Sequence, residues 1–293
     1  MTGVKREEGE VTAKIKNRPE DPGGTEVEVR TGYTFLVQEE HQKGNLCGAV
    51  ILHGFGLDRF SLLGHAERLA EKGCATVAPS MLTLFKNKER NIGLVQWFVE
   101  WLQLRLNSMN ESKKFDITLI GHSAGGAMVF EAAIALANAG NPVQRCLFLD
   151  AVAYPRTLES AVCFPTHQTR VIALSCAASS WNKQNNMHDA YRKLETPGGV
   201  VLLLPKAGHG DPLNPRGSWF CRMMGLLGPL WCFQIINNLV DVVAACSTSE
   251  VDQYITQNFG SPEEYKLGTC VVYCKPEETS STVLASVKQM HFA

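Results

Sequence analysis

Residues 117–140 read ITLIGHSAGGAMVFEAAIALANAG. Gly121 to Gly125 fit the pattern G-x-S-x-G, in which a serine occupies a sharp turn between a strand and a helix. The glycines suit that turn because its backbone is strained and larger neighbours would clash across it. The stretch predicts a nucleophilic Ser123 at the start of a helix, where the helix dipole stabilises an anionic oxygen. The alternative is a tight turn without a chemical role.

Apolar runs and helix-like segments alternate on either side of this motif. Strands are predicted at 47–53, 74–79, 115–121, 145–152, 169–176 and 199–205, and helices at 60–72, 91–109, 125–139 and 185–195. The strands are continuously apolar, which is typical of strands covered on both faces by helices. The pattern predicts an α/β fold with a mostly parallel central sheet, whose ligands bind at the carboxyl ends of the strands.

The two ends of the chain differ from this pattern. Residues 1–25 are polar and predict a disordered arm. Residues 26–293 are predicted to form a single domain that begins with an antiparallel edge strand or hairpin at TEVEVRTGYTFLVQ. Residues 216–247 form an apolar helical region with a break at Gly228-Pro229. It is interpreted as a core helix packed on the sheet, or alternatively as a lid or a membrane-surface element beside the site. Residues 248–293 are a tail with a strand-like GTCVVYC.

Composition excludes several classes of function. The formal net charge of −1 gives no reason to expect a nucleic-acid partner. None of the 10 cysteines has the spacing and flanking histidines of a zinc site, so no metal or other cofactor is expected. The first 20 residues lack an apolar signal segment, which predicts an intracellular protein with free thiols. The sequence does not determine the oligomeric state.

A loop after the strand at 47–53 is the predicted oxyanion hole. In this architecture one N–H comes from the residue after the nucleophile and another from this loop, which indicates Ala124 and Phe55. His53 is expected to bond the loop backbone rather than act as a base. Gly54, Gly56 and His122 are predicted to lie against the substrate, with the His122 ring directed into the fold.

The general base and the acid are predicted from strand ends. His209 follows the strand at 199–205 in a glycine-flanked loop, where it can take the proton of Ser123. The loop of VIALSCAASSWN (171–182) contains no acid, so Asp150, at the end of the preceding strand, is the predicted acid. Asp189 and Asp211 are the alternatives, together with a loop-capping role for Asp150.

Five segments resemble those of serine esterases and lipases of the α/β-hydrolase superfamily. They are VILHGFG (50–56), LAEKGCATVAPSML (69–82), IGHSAGGAMVFEAA (120–133), FLDAV (148–152) and KAGHGDPL (206–213). The nearest group is that of the chlorophyllases, which carry their acid on the strand after the nucleophile, where Asp150 lies. Chlorophyllases usually have a basic residue in place of Ala124 and a proline in place of Ala151. The resemblance implies hydrolysis of a phytyl-type ester on a tetrapyrrole.

These patterns together predict a serine hydrolase that cleaves a carboxylic ester of a lipophilic substrate through an acyl-enzyme. Only about twenty residues separate the strands around Asp150 and Cys176, so no large cap domain is expected there. One alternative is an acyltransferase with the same three residues. The other is a non-catalytic receptor that binds a hydrophobic ligand, since a fold alone does not prove activity.

Overall fold

The computed structural model describes residues 3–16, 25–38, 47–82, 87–109, 115–194, 199–216, 226–259 and 270–273. Its strands are β1 (Val4–Lys16), β2 (Glu26–Gln38), β3 (Cys47–Leu52), β4 (Cys74–Pro79), β5 (Asp116–His122), β6 (Arg145–Leu149), β7 (Arg170–Ser175), β8 (Gly199–Leu203) and β9 (Cys270–Tyr273). Its helices are α1 (Leu63–Glu71), α2 (Lys88–Met109), α3 (Ala124–Asn138), α4 (Pro155–Ser160), α5 (His188–Tyr191), α6 (Leu230–Ala245) and α7 (Thr248–Phe259).

The described strands form one nine-stranded sheet in the order β1-β2-β4-β3-β5-β6-β7-β8-β9. Neighbouring strands from β4 to β9 are all parallel, whereas β1 and β2 form an antiparallel hairpin that joins the sheet at β4. The predicted α/β architecture is therefore confirmed. Residues 150–169, all described, contain only α4 and a 3₁₀ turn, so no large cap is inserted between β6 and β7.

The two faces of the sheet bury separate hydrophobic clusters. On β3, Val50 and Leu52 pack in the cluster that α2 and α3 cover, whereas Ala49 and Ile51 pack in the cluster that α1, α6 and α7 cover. Successive side chains of a strand point to opposite faces, so a strand buried on both faces is apolar throughout. This explains why the strands could be located from continuous apolar runs.

The prediction of a disordered arm over 1–25 was wrong for Val4–Lys16, which form β1 and pair with β2 along their whole length. Only Ala13 and Ile15 of β1 are buried, so the strand looks polar in sequence. Several of its charged residues are paired. Glu7, for example, accepts hydrogen bonds from Tyr33 and from Arg105 on α2. The Tyr33 hydroxyl contributes most to lowering the pKa of Glu7, and the Arg105 guanidinium adds to the effect.

Replacing Ile15 with alanine is expected to destabilise the protein. Ile15 is 4% exposed, and a Cβ added at Gly93 of α2 would lie 3.3 Å from its Cβ, so this strand end packs closely on the helix. Loss of a buried isoleucine side chain typically costs about 2–4 kcal/mol. Urea denaturation measures the change, with the exposed Lys14→Ala as the control. An unchanged urea midpoint for Ile15→Ala would contradict the packing of β1.

The apolar region at 216–247 contains a core helix. Helix α6 begins directly after Pro229, and Ile236, Leu239 and Val243 are completely buried in the second cluster. Residues 217–225 lie outside the described residues, so the prediction of a lid is not resolved over them. No helix within the described ranges is both long and apolar enough to cross a membrane.

The predicted helix at 185–195 is shorter in the structure, where α5 spans only His188–Tyr191. Asparagine side chains hold the preceding residues in a loop. The Asn186 amide accepts a hydrogen bond from the Ala153 N–H and donates one to its carbonyl, each at 2.9 Å. Such side-chain bonds to the backbone compete with helix formation. The loop therefore stays close to the carboxyl end of β6.

Candidate active site

Ser123 lies in the turn between β5 and α3 with φ 54° and ψ −122°. The turn is fixed on both sides, because Ser123 donates its N–H to the Leu149 carbonyl and accepts the Val152 N–H, both at 3.1 Å. A Cβ at Gly125 would lie 2.5 Å from the His53 carbonyl oxygen, so a side chain cannot be placed there without movement of the backbone. This is the strained strand-to-helix geometry that exposes a serine at the end of a sheet.

The structure brings together three of the predicted residues. His209 Nε2 lies 2.9 Å from Ser123 Oγ, and His209 Nδ1 lies 2.5 Å from Asp150 Oδ2. Ser123 and His209 are 9% and 8% exposed and Asp150 only 1%, so the series runs from the cavity surface into the interior. An Nδ1–H donated to the carboxylate leaves Nε2 unprotonated and able to accept the serine proton.

The alternative acids have other partners. Asp189 is exposed and forms an ion pair with Arg192. Asp211 is completely buried, and its Oδ2 accepts the N–H groups of Gly208 and Gly228 at 2.9 and 2.7 Å. Arg216 also donates to Asp211, at 3.0 Å. Asp211 thus fixes the backbone of the His209 loop.

Asp150 receives further hydrogen bonds from the loop after β7. Its backbone lies in the left-handed region, with φ 46°, and its N–H bonds the Leu174 carbonyl at 2.7 Å. The Cys176 N–H donates to Oδ1 at 2.8 Å, and the Asn182 amide contacts both carboxylate oxygens at 3.2 Å. Sequence reasoning missed Asn182 because the loop was searched for an acid. An asparagine in a loop beside an expected carboxylate is the signal that could have identified it.

His122 lies beside His209, and the centroids of the two rings are 4.9 Å apart. Its Nε2 is 2.9 Å from the His209 carbonyl oxygen and must carry the proton for that hydrogen bond. Burial, followed by the neighbouring His209, lowers the pKa of His122 to about 3. His122 is therefore neutral near neutral pH and supports the backbone at His209. The predicted inward direction of its ring agrees with this burial.

His53 forms hydrogen bonds with the backbone of two neighbouring loops. Its Nδ1 lies 2.9 Å from the Gly54 carbonyl oxygen, and its Nε2 accepts the Met81 N–H at 3.0 Å. Burial lowers its pKa. A Cβ at Gly54 would lie 3.0 Å from the Cβ of Ser123, so a glycine lets this loop approach Ser123 closely. These contacts agree with the prediction that the His53 side chain bonds the loop backbone.

A cavity of about 550 Å³ opens beside Ser123 and His209. Its other lining residues are mostly apolar: Phe55, Gly56, Leu57, His122, Ala124, Val152, Tyr154, Trp181, Lys183, Gly210, Leu213 and Leu226. The predicted oxyanion-hole residues Phe55 and Ala124 both line it. Of the predicted substrate-contacting residues, Gly56 and His122 line it, whereas Gly54 lies behind Ser123. Elsewhere in the described ranges, no group of three or more His, Cys, Asp or Glu side chains could hold a metal ion.

His65 on α1 contacts the loop that carries His209. Its Nε2 donates to the Pro212 carbonyl at 2.8 Å, and complete burial lowers its pKa to about 4. A buried histidine with a depressed pKa binds fewer protons in the folded than in the unfolded state. It therefore destabilises the fold as the pH falls below the unfolded value of about 6.5, with the full effect reached near pH 4.

His65→Gln is expected to flatten the acid dependence of stability. The wild type should lose up to about 1.4 kcal/mol from this group for each pH unit between 6.5 and 4, and the variant should not. Urea denaturation at pH 7 and pH 5 measures the difference, with the exposed His167→Gln as the control. Equal loss of stability in the wild type and His65→Gln would contradict the burial of a neutral His65.

The sheet and the turn at Ser123 define an α/β-hydrolase fold. The family model described as Chlorophyllase matches residues 8–157, slightly more than half of the 293 residues, so the chain belongs to the chlorophyllase family. The matched range includes Ser123 and Asp150 and ends before His209. No curated protein matched the sequence.

Solved structures share the fold at low sequence identity. An esterase from Rhizomucor miehei is 11% identical with a TM-score of 0.56, and the match covers 83% of this chain and 84% of that one. The peroxisomal α/β-hydrolase Lpx1 from Saccharomyces cerevisiae is 13% identical with a TM-score of 0.52, covering 80% and 88%. Esterase Est22 is 13% identical with a TM-score of 0.54, covering 82% and 80%. At these identities the likeness establishes the fold alone.

Proposed function

We propose that the protein is a serine hydrolase that cleaves a carboxylic ester of a lipophilic substrate through an acyl-enzyme. The observation that carries the proposal is the hydrogen-bonded series from Asp150 through His209 to Ser123 at the wall of an apolar cavity. A weak hydroxyl nucleophile needs an adjacent base that is itself oriented by a third group.

The proposed reaction uses these three side chains in turn. Ser123 Oγ attacks the ester carbonyl while His209 Nε2 takes its proton, and Asp150 stabilises the imidazolium that forms. The N–H groups of Phe55 and Ala124 stabilise the oxyanion of the tetrahedral intermediate. The intermediate collapses to the acyl-enzyme as His209 returns the proton to the leaving alcohol. Water, deprotonated by His209, then attacks the acyl group. The bond to Ser123 Oγ breaks as His209 gives that oxygen its proton, and the carboxylic acid leaves.

The cavity and the family support a lipophilic ester. The cavity walls carry Leu57, Val152, Leu213 and Leu226 among others, which bind apolar groups by removing them from water. Membership of the chlorophyllase family makes the phytyl ester of chlorophyll the first natural substrate to assay. Ala124 and Ala151 depart from the usual chlorophyllase residues, so a simpler lipophilic ester is the second.

A series of 4-nitrophenyl esters and chlorophyll a tests the proposal. Each buried methylene contributes about 0.8 kcal/mol, so kcat/KM is expected to rise several-fold per methylene from acetate until the cavity is filled. Phe55→Ala, which keeps the backbone N–H, should weaken this dependence on chain length, whereas Leu104→Ala on the exposed face of α2 should not. No hydrolysis of any ester would refute the proposal, and acyl products formed only with added alcohols would identify a transferase.

Contact with a membrane surface remains a separate proposal. Phe55 and Trp181, which are 56% and 45% exposed, line the cavity, and Leu230 at the start of α6 is 58% exposed. Exposed aromatic side chains at the mouth of an apolar cavity suit contact with a lipid surface. Vesicle co-sedimentation of the wild type and Phe55→Ala measures it, and equal binding of both would count against a role for the cavity mouth. The intracellular location remains a prediction.

A further inference from the structure

Asn182 is completely buried although its neighbours Trp181 and Lys183 are exposed at the cavity mouth. An amide side chain is costly to bury unless its oxygen and both of its N–H groups find partners. The partners of Asn182 therefore indicate what keeps this side chain in the interior.

The two ends of the Asn182 amide have different partners. Its oxygen accepts the N–H groups of Ser179 and Asn185 at 2.8 and 3.2 Å, which closes the loop on itself. Its nitrogen donates to the Ala177 carbonyl at 2.8 Å and lies 3.2 Å from each carboxylate oxygen of Asp150. Because one end has only donors as partners and the other only acceptors, the contacts fix which end faces Asp150.

The loop bends sharply to direct this one side chain inward. Lys183, Gln184 and Asn185 have φ values of 49°, 56° and 59°, and three consecutive residues in the left-handed region are energetically unfavourable. Strain of this kind persists where the surrounding contacts over-determine it and is common at functional sites. Here the strained residues directly follow the side chain that contacts Asp150.

We propose that Asn182 is a positioning residue for Asp150. Its amide and the Cys176 N–H hold the carboxylate in the plane that directs Oδ2 at His209 Nδ1, and they stabilise the negative charge of a side chain that is only 1% exposed. The inference rests on the proposed function. The loop after β7 thus contributes hydrogen-bond donors to an acid on β6, which explains why it needs no acid of its own.

Two substitutions separate positioning from loop structure. Asn182→Asp keeps an oxygen for the Ser179 and Asn185 N–H groups. It replaces the donor to Asp150, which also bonds the Ala177 carbonyl, with a carboxylate oxygen. Asn182→Ala loses both functions without adding charge. If Asn182 positions Asp150, Asn182→Asp should have the lower kcat of the two, about 10- to 100-fold below the wild type, with KM changed less than threefold. If the residue only closes the loop, Asn182→Ala should have the lower kcat, which would overturn the proposal.

The double exchange Asp150→Asn with Asn182→Asp tests the contact without using activity. It restores one amide opposite one carboxylate, so its urea midpoint should lie above that of Asn182→Asp while hydrolysis stays low. If the urea midpoint of the double variant is no higher than that of Asn182→Asp, the proposed direct contact is wrong. This comparison remains valid when Asn182→Asp itself is strongly destabilised. Ser180→Ala, an exposed change in the same loop, is the control and should match the wild type. If the wild type hydrolyses no ester, the proposed function is refuted. The urea midpoints would still test the contact between Asn182 and Asp150, because they do not depend on activity.

Discussion

Ser123→Ala is expected to lose covalent labelling by a fluorophosphonate probe and to lower kcat/KM for ester hydrolysis by about 10⁴- to 10⁶-fold. The alanine keeps the backbone turn and the cavity but removes the oxygen that forms the acyl-enzyme. Hydrogen-bond donors around the carbonyl would then account for the residual rate. Labelling followed by gel fluorescence, together with steady-state hydrolysis of a 4-nitrophenyl ester, measures both effects.

The chain offers a matched control for this prediction. Ser175 Oγ lies 2.8 Å from His188 Nε2, which is a second serine–histidine contact among the described residues. Ser175 has no helix directly after it, and it is not among the residues lining the cavity. Ser175→Ala should therefore label like the wild type. Labelling that persists in Ser123→Ala, or disappears in Ser175→Ala, would assign the nucleophile elsewhere.

The parallel sheet could be predicted from sequence because its signal is local. Strand β4 lies at Cys74–Pro79, the range predicted from its apolar run, and β5 differs from its prediction by one residue at each end. Strands buried on both faces must be apolar throughout, so no knowledge of the neighbouring strands is needed to find them. Ser123 and His209, which the structure places within hydrogen-bonding distance, could also be singled out from the sequence because each lies in a glycine-containing turn or loop that follows a strand.

Strand β1 and Asn182 could not be predicted in this way because distant contacts decide them. Strand β1 is polar, and its place in the sheet depends on pairing with β2 and on contacts such as that between Glu7 and Arg105, 98 residues apart. Asn182 takes its role from Asp150, 32 residues earlier in the chain. The loop sequence alone shows only that it lacks an acid. The pairing of β6 with β7 is what brings its hydrogen-bond donors, the Cys176 N–H and the Asn182 amide, to Asp150.

Asp150→Asn is expected to lower kcat by about 10⁴-fold while the fold remains stable. The asparagine fits the same space, but its amide can donate to His209 Nδ1. That hydrogen bond favours the tautomer with the proton on Nε2, which cannot accept the proton of Ser123. Labelling by the fluorophosphonate probe should slow by a comparable factor, because it depends on the same proton transfer.

Asp211→Asn is the matched control, since Asp211 lies two residues from His209 and is as buried as Asp150. It accepts hydrogen bonds from Gly208, Gly228 and Arg216, and the substitution leaves Arg216 without its carboxylate partner. Asp211→Asn should therefore lower the urea midpoint and reduce kcat by less than about tenfold, because the His209 ring keeps its partners. Asp150→Asn should instead keep a urea midpoint near that of the wild type and lose far more of its kcat. If Asp211→Asn lost more kcat than Asp150→Asn, the acid would have to be reassigned, because loss of stability alone does not change the tautomer of the base.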